Sequence, residues 1–123
     1  MKRRSSLYIK DILDAMTKIQ EFTEDMSFDE FIKDDKTSSA VIRKLEIIGE
    51  AVKQLPDEIK DGLREIPWQA MAKTRDKIIH FYHGVDYEIV WMIIKDDFPS
   101  LKPLFLKIYE LVLAEEGKDA KDD

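Results

Sequence analysis

The spacing of apolar residues is the feature that most limits the folds open to this 123-residue chain. Apolar side chains recur every three or four positions along most of its length, which places them on one face of an α-helix. Only four glycines and four prolines are present, and 37% of the residues are charged. We therefore expect long helices with charged outer faces, and no segment makes a convincing strand.

The apolar pattern and the helix-breaking residues divide the chain into successive helical segments. Residues 6–25 form the first long helix, and a short helix follows Ser27, whose hydroxyl can accept a free backbone N–H. After a polar break at residues 34–38, a second long helix should end before Pro56, because a residue that precedes proline disfavours helical geometry. The inward stripe of that helix consists of four residues: Val41, Leu45, Ile48 and Val52.

Prolines and glycines divide the second half of the chain. Pro56 suits the first turn of a short helix that reaches residue 63. The next helix should run from residue 66 to residue 83 and end at Gly84, and Asp86 can cap the one that follows. A junction marked by Pro99 and Pro103 precedes a final apolar helix at residues 104–113.

These segments predict an all-α fold, an antiparallel bundle of four to six helices with short connections. The helix at 66–83 should pack against the second long helix. The expected core includes five residues: Leu45, Trp68, Ile78, Ile79 and Trp91. One domain should span residues 1–114, and residues 115–123 should form an acidic, flexible tail, because they lack apolar periodicity.

Composition limits where the chain can work and what it can bind. No apolar run approaches the roughly 20 residues that cross a bilayer, and the absence of cysteine favours a cytoplasmic protein. The net charge of −6 argues against a broad basic surface that coats nucleic acid. An enzyme that touches a few phosphates remains possible, because Lys73, Arg75 and Lys77 supply local positive charge. Glu50, a polar residue in an apolar stretch, is a further candidate for a cleft.

One short segment carries the clearest chemical potential. Arg75 is followed five residues later by His80, and Tyr82 lies two residues beyond. A guanidinium can bind phosphate oxygens in a planar fork, and an imidazole can move a proton near neutral pH. The combination suits chemistry on a phosphodiester.

The spacing also bears on assembly. On one straight helix, Arg75 and Tyr82 would lie within about 20° of each other, whereas Arg75 and His80 would point about 140° apart. Two copies of the helix that meet across a dimer axis would bring an arginine and a histidine together. A distorted helix end near Gly84 is the alternative.

Plainer explanations exist for each residue taken alone. A lone histidine is usually structural, a lone arginine usually forms a surface ion pair, and a tyrosine is often half-buried with its hydroxyl outward. A metal site is a separate alternative, because Asp76, His80 and His83 fall at i, i+4 and i+7 and could hold zinc or iron. We rank this helical metal-binding interpretation below phosphodiester chemistry.

The pattern Arg-x-x-x-x-His-x-Tyr, with its surroundings, resembles the HEPN superfamily and, within it, the HepT toxins of HepT–MntA toxin–antitoxin pairs. The surrounding elements of the resemblance are Ser27-Phe28-Asp29-Glu30-Phe31, Gly49-Glu50-Ala51, Ile66-Pro67-Trp68, Gly84-Val85-Asp86 and Trp91. Phe81 and His83 depart from the family pattern, and a bulky Phe81 would reshape the substrate cleft.

The resemblance implies a ribonuclease that needs no metal or cofactor, acts on RNA and not DNA, and forms a homodimer with a shared cleft. His80 would act as general base or acid, and Arg75 would stabilise charge on the phosphate. Asp76 is four residues before His80 and on the same helix face, so it could accept a ring N–H and set the tautomer. The alternative is a surface aspartate that pairs with Lys73 or Lys77.

The resemblance also implies control by a partner. In such pairs, classed as type VII HEPN/MNT systems, the antitoxin is a minimal nucleotidyltransferase that transfers AMP to the motif tyrosine, here Tyr82. A bulky anion at that place would occupy the phosphate site and repel RNA. The remaining alternative is a non-catalytic subunit that only docks a nucleotidyltransferase.

Overall fold

The structure is a computed structural model that describes residues 2–80 and 82–122, with side chains through Asp119. Its regular structure is almost entirely helical, which confirms the all-α fold class. The elements in chain order are α1 (Ser5–Thr23), α2 (Phe28–Lys33), α3 (Asp35–Gln54), α4 (Asp57–Asp61), α5 (Trp68–Ala72), α6 (Thr74–Ile78), β1 (Ile79–His80), β2 (Gly84–Val85), α7 (Tyr87–Met92), a π-helical turn (Ile93–Asp97) and α8 (Phe98–Asp122). None of the described helices is long and apolar enough to cross a membrane.

The long helices α1, α3 and α8 form the centre of the bundle. The Ser6 hydroxyl donates to Glu116 Oε2 at 2.6 Å, and Lys102 Nζ donates to Gln20 Oε1 at 2.9 Å. The start of α1 therefore lies beside the end of α8, and the two helices are antiparallel. The helix continues into the segment that we expected to be a flexible tail, although Asp123 lies outside the described residues.

The core follows the predicted pattern on α3. All four residues of the α3 stripe are buried, as is Ile78. Trp68, Ile79 and Trp91 are only partly buried and pack against the edge of the core. Trp68 has a reason to stay at the edge, because its indole N–H donates to the carbonyl oxygens of Lys60 and Leu63, both at 3.0 Å.

Caps define the starts of α2 and α3. Ser27 and Glu30 form a capping box, in which each side chain accepts the other residue's backbone N–H. Asp34 caps α3 by accepting the Thr37 N–H at 2.9 Å and the Thr37 hydroxyl at 2.8 Å. The predicted polar break at 34–38 is thus wrong: residues 35–38 form the first turn of α3, which Asp34 starts.

Breaking the capping box should destabilise the protein measurably. We expect Ser27→Ala to lower the free energy of unfolding by about 1 kcal/mol, because the backbone N–H of Glu30 loses its acceptor. Urea unfolding at neutral pH measures this difference. Ser39→Ala, at an exposed position inside α3, is the matched control and should change stability by less than about 0.5 kcal/mol.

The same box links stability to pH. The backbone N–H of Ser27 and then its side chain hold the pKa of Glu30 below its ordinary value of 4.5. A carboxyl whose pKa is lowered by folding stabilises the folded state above the ordinary pKa. That contribution is lost as the pH falls through the lowered value.

The predicted junction at Pro99 and Pro103 is also wrong. The chain passes from α7 through the π-helical turn into α8, with Pro99 in the first turn of α8 and Pro103 inside it. A proline ring crowds the carbonyl of the preceding turn, and the wider π turn just before Pro99 relieves that crowding. Buried Phe98 and Phe105 hold the start of α8 in the core.

Candidate active site

The segment with Arg75 and His80 is not one helix, so that prediction is wrong. The helix is interrupted at Lys73, whose φ of −100° and ψ of 13° separate α5 from α6. It ends at Ile78, and His80 lies on β1. With this division the described residues contain eight α-helices, above the four to six expected for the bundle.

A two-stranded antiparallel hairpin replaces the last turns of the predicted helix. Ile79 pairs with Val85, and His80 pairs with Gly84. Gly84 has a φ of 75°, in the left-handed region that favours glycine. The backbone N–H of Asp86 donates to the carbonyl oxygen of Ile78 at 2.7 Å and closes the hairpin.

The hairpin changes the geometry that we expected. The angular relation of Arg75 to His80 and Tyr82 assumed a common helix, so it no longer argues for a dimer. Asp76 and His80 likewise do not share a helix face. The metal-binding alternative required Asp76, His80 and His83 on one helix face, and these residues do not share a helix. No group of three histidine, aspartate or glutamate residues within the described part of the chain could hold a metal ion.

Close packing positions α5, the helix just before the one that carries Arg75. A Cβ added to Gly49 on α3 would lie 3.4 Å from the carbonyl oxygen of Met71 and 3.7 Å from that of Ala72. Both distances are ordinary van der Waals contacts, so they show how closely the backbone of α5 packs against α3. This contact between α3 and α5 confirms that the segment which begins at residue 66 packs against the second long helix.

Arg75 projects from α6 beside that contact. Two-thirds of its side chain is exposed, and its Nε lies 3.7 Å from Oε2 of Glu46 on α3. The pair is long and leaves the end of the guanidinium accessible, so Arg75 can still bind an anion. Sequence reasoning missed Glu46, because nothing in the order of residues indicates which turn of α3 would face α6.

His80 has a different carboxylate partner from the one predicted. Its Nε2 lies 4.0 Å from Oδ2 of Asp86, and 44% of the side chain is exposed. Asp86 also caps α7 as predicted, because its Oδ1 accepts the Ile89 N–H at 3.1 Å. Asp86 therefore has one oxygen committed to the helix and the other turned towards the imidazole. The sequence indicated only the first of these roles.

The remaining candidates divide between two places. Asp76 and Lys77 are exposed residues of α6, and Lys73 is exposed between α5 and α6. Tyr82 follows β1 in the connection to β2 and is 88% exposed. Phe81, which we expected to shape a cleft, lies outside the described residues.

Glu50 does not join this group. Its carboxylate lies 3.2 Å from Lys53 Nζ on the exposed side of α3. It lines a groove with Tyr8 and Gln54, between α1 and α3, and not the depression that His80 lines. The structure thus does not bring Glu50 to the motif.

The structure is an all-α domain that presents an exposed arginine and a histidine beside a carboxylate. Comparisons with known proteins show the family to which it belongs. The family model described as "Ribonuclease HepT-like" matches residues 12–108. The chain belongs to the HepT-like ribonuclease family.

Two relatives cover nearly the whole chain. A Thermococcus cleftensis protein named "Probable ribonuclease HepT" is 50% identical over 108 residues, which cover 88% of this chain and 98% of the relative. A Methanocaldococcus jannaschii protein named "Putative RNase" is 46% identical over 119 residues, which cover 96% of this chain and 95% of the relative. No solved structure is a significant match.

Proposed function

We propose that this protein is a metal-independent endoribonuclease. The observation that carries the proposal is the exposed His80 beside the Asp86 carboxylate, a few residues after the exposed Arg75, in a member of a ribonuclease family. An acid–base group and an anion-binding group are the two functions that cleavage of RNA by its own 2′-hydroxyl requires.

The proposed reaction is a transesterification. An imidazole nitrogen of His80 accepts the proton of the ribose 2′-hydroxyl, and the oxygen attacks the adjacent phosphorus. The bond from phosphorus to the 5′-oxygen breaks, that oxygen takes up a proton from water, and His80 returns its proton to the solvent. Arg75 donates hydrogen bonds to the non-bridging oxygens, where negative charge increases. The products are a 2′,3′-cyclic phosphate and a 5′-hydroxyl.

We assign the orientation of the imidazole to Asp86, because its carboxylate faces the His80 ring. Asp76, the residue first expected in that role, lies on α6 beside Arg75. There it would temper the local positive charge. Lys73 and Lys77 on either side of Arg75 would attract the RNA backbone, with an effect that weakens as salt rises.

The working unit that we propose is a homodimer. Within one protomer, Arg75 lies beside Glu46 on α3, whereas His80 lies beside Asp86 at the start of α7. Residues held towards different neighbours can act on one phosphate if the second protomer supplies one of them. A cytoplasmic location and the absence of a cofactor remain predictions from composition and family.

The proposed chemistry makes a direct prediction about substrates. RNA should be cut in the presence of EDTA, and the products should carry 2′,3′-cyclic or 3′-phosphate ends. The same sequence made entirely of deoxynucleotides should resist, because it has no nucleophile. Gel analysis with end-group mapping measures both. Loss of cleavage in EDTA with recovery on added zinc, or equal cutting of the all-deoxy strand, would contradict the mechanism.

We further propose that the protein is the toxin of a type VII HEPN/MNT pair, neutralised by a nucleotidyltransferase antitoxin. In this reaction the Tyr82 oxygen attacks the α-phosphorus of ATP, pyrophosphate leaves, and the tyrosine loses its proton. The high exposure of Tyr82, two residues beyond His80, supports the proposal, because a partner enzyme can reach it. The added phosphate and nucleoside would then block RNA.

Removal of the Tyr82 hydroxyl should separate activity from control. Tyr82→Phe should keep most of the ribonuclease activity and should gain no AMP when incubated with the partner, ATP and Mg²⁺, whereas the wild type should gain AMP and stop cutting RNA. Intact mass and RNA cleavage report the two effects, and Tyr109→Phe on α8 is the matched control. Adducts on Tyr82→Phe, or an unmodified yet inhibited wild type, would indicate another means of control. Modification of a wild type that never cuts RNA would favour the docking alternative.

A further inference from the structure

A shallow depression of about 570 Å³ adjoins the candidate catalytic histidine. Phe28 and Ile32, one turn apart on α2, form one side of it. His80 lies on another side, and Tyr87 and Glu88 at the start of α7 complete the wall. Helices α2 and α7 thus meet the hairpin at this place.

Neighbouring rings, one of them fully buried, hold the two aromatic residues of the depression in place. Phe31 is fully buried, and its ring centroid lies 5.1 Å from that of Trp91 and 6.2 Å from that of Tyr87. Phe28 packs against Trp91 in turn, with centroids 6.0 Å apart. Phe28 and Tyr87 are both only partly buried, so each retains ring surface towards the depression. These rings are therefore fixed before any ligand arrives.

The two carboxylates around the depression favour a neutral occupant over a phosphate, although His80 and His83 also line it. The carboxylates of Asp86 and Glu88 both line it, and they would repel a phosphodiester. A flat, neutral group that can stack on aromatic rings fits such walls. In an RNA substrate that group is an unpaired nucleobase, since single-stranded bases are recognised by stacking and by hydrogen bonds to their edges.

We infer that this depression is a nucleobase subsite, which holds a base next to the scissile phosphate while His80 acts on the ribose. The inference rests on the proposed ribonuclease function and adds a determinant of where the chain cuts. Phe28 and Tyr87 are the stacking residues. The Glu88 carboxylate accepts a hydrogen bond from an exocyclic amine, so cytosine binds better than uracil, which presents a carbonyl oxygen at that place.

The first experiment uses 2′-O-methyl oligonucleotides with one unmodified ribonucleotide, which can be cut at one phosphate only. In two further versions, an abasic residue replaces the base on either side of that phosphate. One of the two should lower kcat/KM of the wild type about tenfold, because one stacked base is lost. Phe28→Leu should lose a similar factor on the intact oligonucleotide and should no longer respond to the abasic residue.

Phe22→Leu is the matched control, since Phe22 is a partly exposed phenylalanine on α1 that does not line the depression. It should retain the full response to the abasic residue. A Phe28→Leu protein that still loses tenfold activity on the abasic oligonucleotide would overturn the inference. So would a wild type that is indifferent to both abasic positions.

A binding measurement separates the subsite from the chemistry. Fluorescence anisotropy with fully 2′-O-methylated oligonucleotides, which cannot be cut, should show the same loss from one abasic position and the same loss of response in Phe28→Leu. This pattern in a protein that cuts no RNA would refute the proposed ribonuclease and retain the subsite. Cleavage of RNA without this binding pattern would refute the subsite and retain the proposed ribonuclease.

Base identity tests the role of Glu88. With cytosine or uracil at the sensitive position, the wild type should prefer cytosine about tenfold. Glu88→Gln should narrow that ratio, because an amide can donate to the uracil carbonyl as well as accept from an amine. Glu110→Gln, at an exposed position on α8, should leave the ratio unchanged. An unchanged ratio in Glu88→Gln would overturn the proposed contact.

Discussion

Replacement of His80 by alanine should lower RNA cleavage by about 10²–10⁴-fold, the usual contribution of a positioned acid–base group. The loss belongs to the chemical step, because the 2′-hydroxyl then has no group to take its proton. Single-turnover cleavage of an end-labelled RNA measures the rate. The melting temperature should change little, since the side chain is 44% exposed and lies as far as 4.0 Å from the Asp86 carboxylate.

The chain's other histidine provides the comparison for this variant. His83 is exposed in the connection between the strands, and its replacement by alanine should cost far less activity than that of His80. If His80→Ala cuts RNA at the rate of the wild type, the acid–base group lies elsewhere. Equal losses from both histidines would point to a general effect on the hairpin and not to proton transfer.

Arg75→Ala should lower cleavage by about 10²–10³-fold, because donors aimed at the charge of the transition state have effects of this size. The fold should persist, since the Glu46 contact is 3.7 Å long and two-thirds of the Arg75 side chain is exposed, and such pairs contribute little to stability. Cleavage rates and thermal melting measure the two effects. Arg64→Ala, at another exposed arginine, is the matched control and should cut normally. Unimpaired cleavage by Arg75→Ala would remove the proposed phosphate contact.

Mixing the two inactive variants tests the shared site. In a random mixture of His80→Ala and Arg75→Ala protomers, half of the dimers are mixed, and each mixed dimer has one complete site if the residues come from different protomers. About a quarter of the wild-type activity should then return. No recovery, in a mixture shown to exchange subunits, would place both residues in one protomer.

The long helices could be predicted because their signals are local. The stripe on α3 and the capping box of α2 depend on residues three to five positions apart, and helical geometry turns such spacing directly into a face or a cap. The start of α3 was misjudged by a few residues. Asp34 was taken as part of a polar break, whereas its side chain begins the helix.

The hairpin could not be predicted in the same way. Arg75 to His80 has a composition that a helix accepts, so the pattern gives no reason to stop at Ile78. The hairpin depends instead on Gly84 in its left-handed conformation and on burial of Ile78 with partial burial of Ile79 and Val85. Tertiary packing therefore decided between two conformations that the local sequence left close in energy.

Only part of the candidate site could be predicted from the sequence, for a related reason. Arg75, His80 and Tyr82 stand close together in the chain and show a recognisable spacing. Their surroundings do not: Glu46 comes from α3, and Phe28 of the depression comes from α2. Contacts between distant segments depend on how helices pack, and spacing along one element carries no information about them.

The placement of His80 on a strand has a consequence for how this segment can vary. One residue inserted into a helix turns everything beyond it by about 100°. An insertion between β1 and β2 would lengthen a surface connection and leave the pairing of Ile79 with Val85 in place. The connection that carries Tyr82 can thus change in length and composition while His80 stays beside Asp86. Sequence changes in this connection could therefore alter the proposed site of modification without moving the proposed catalytic histidine.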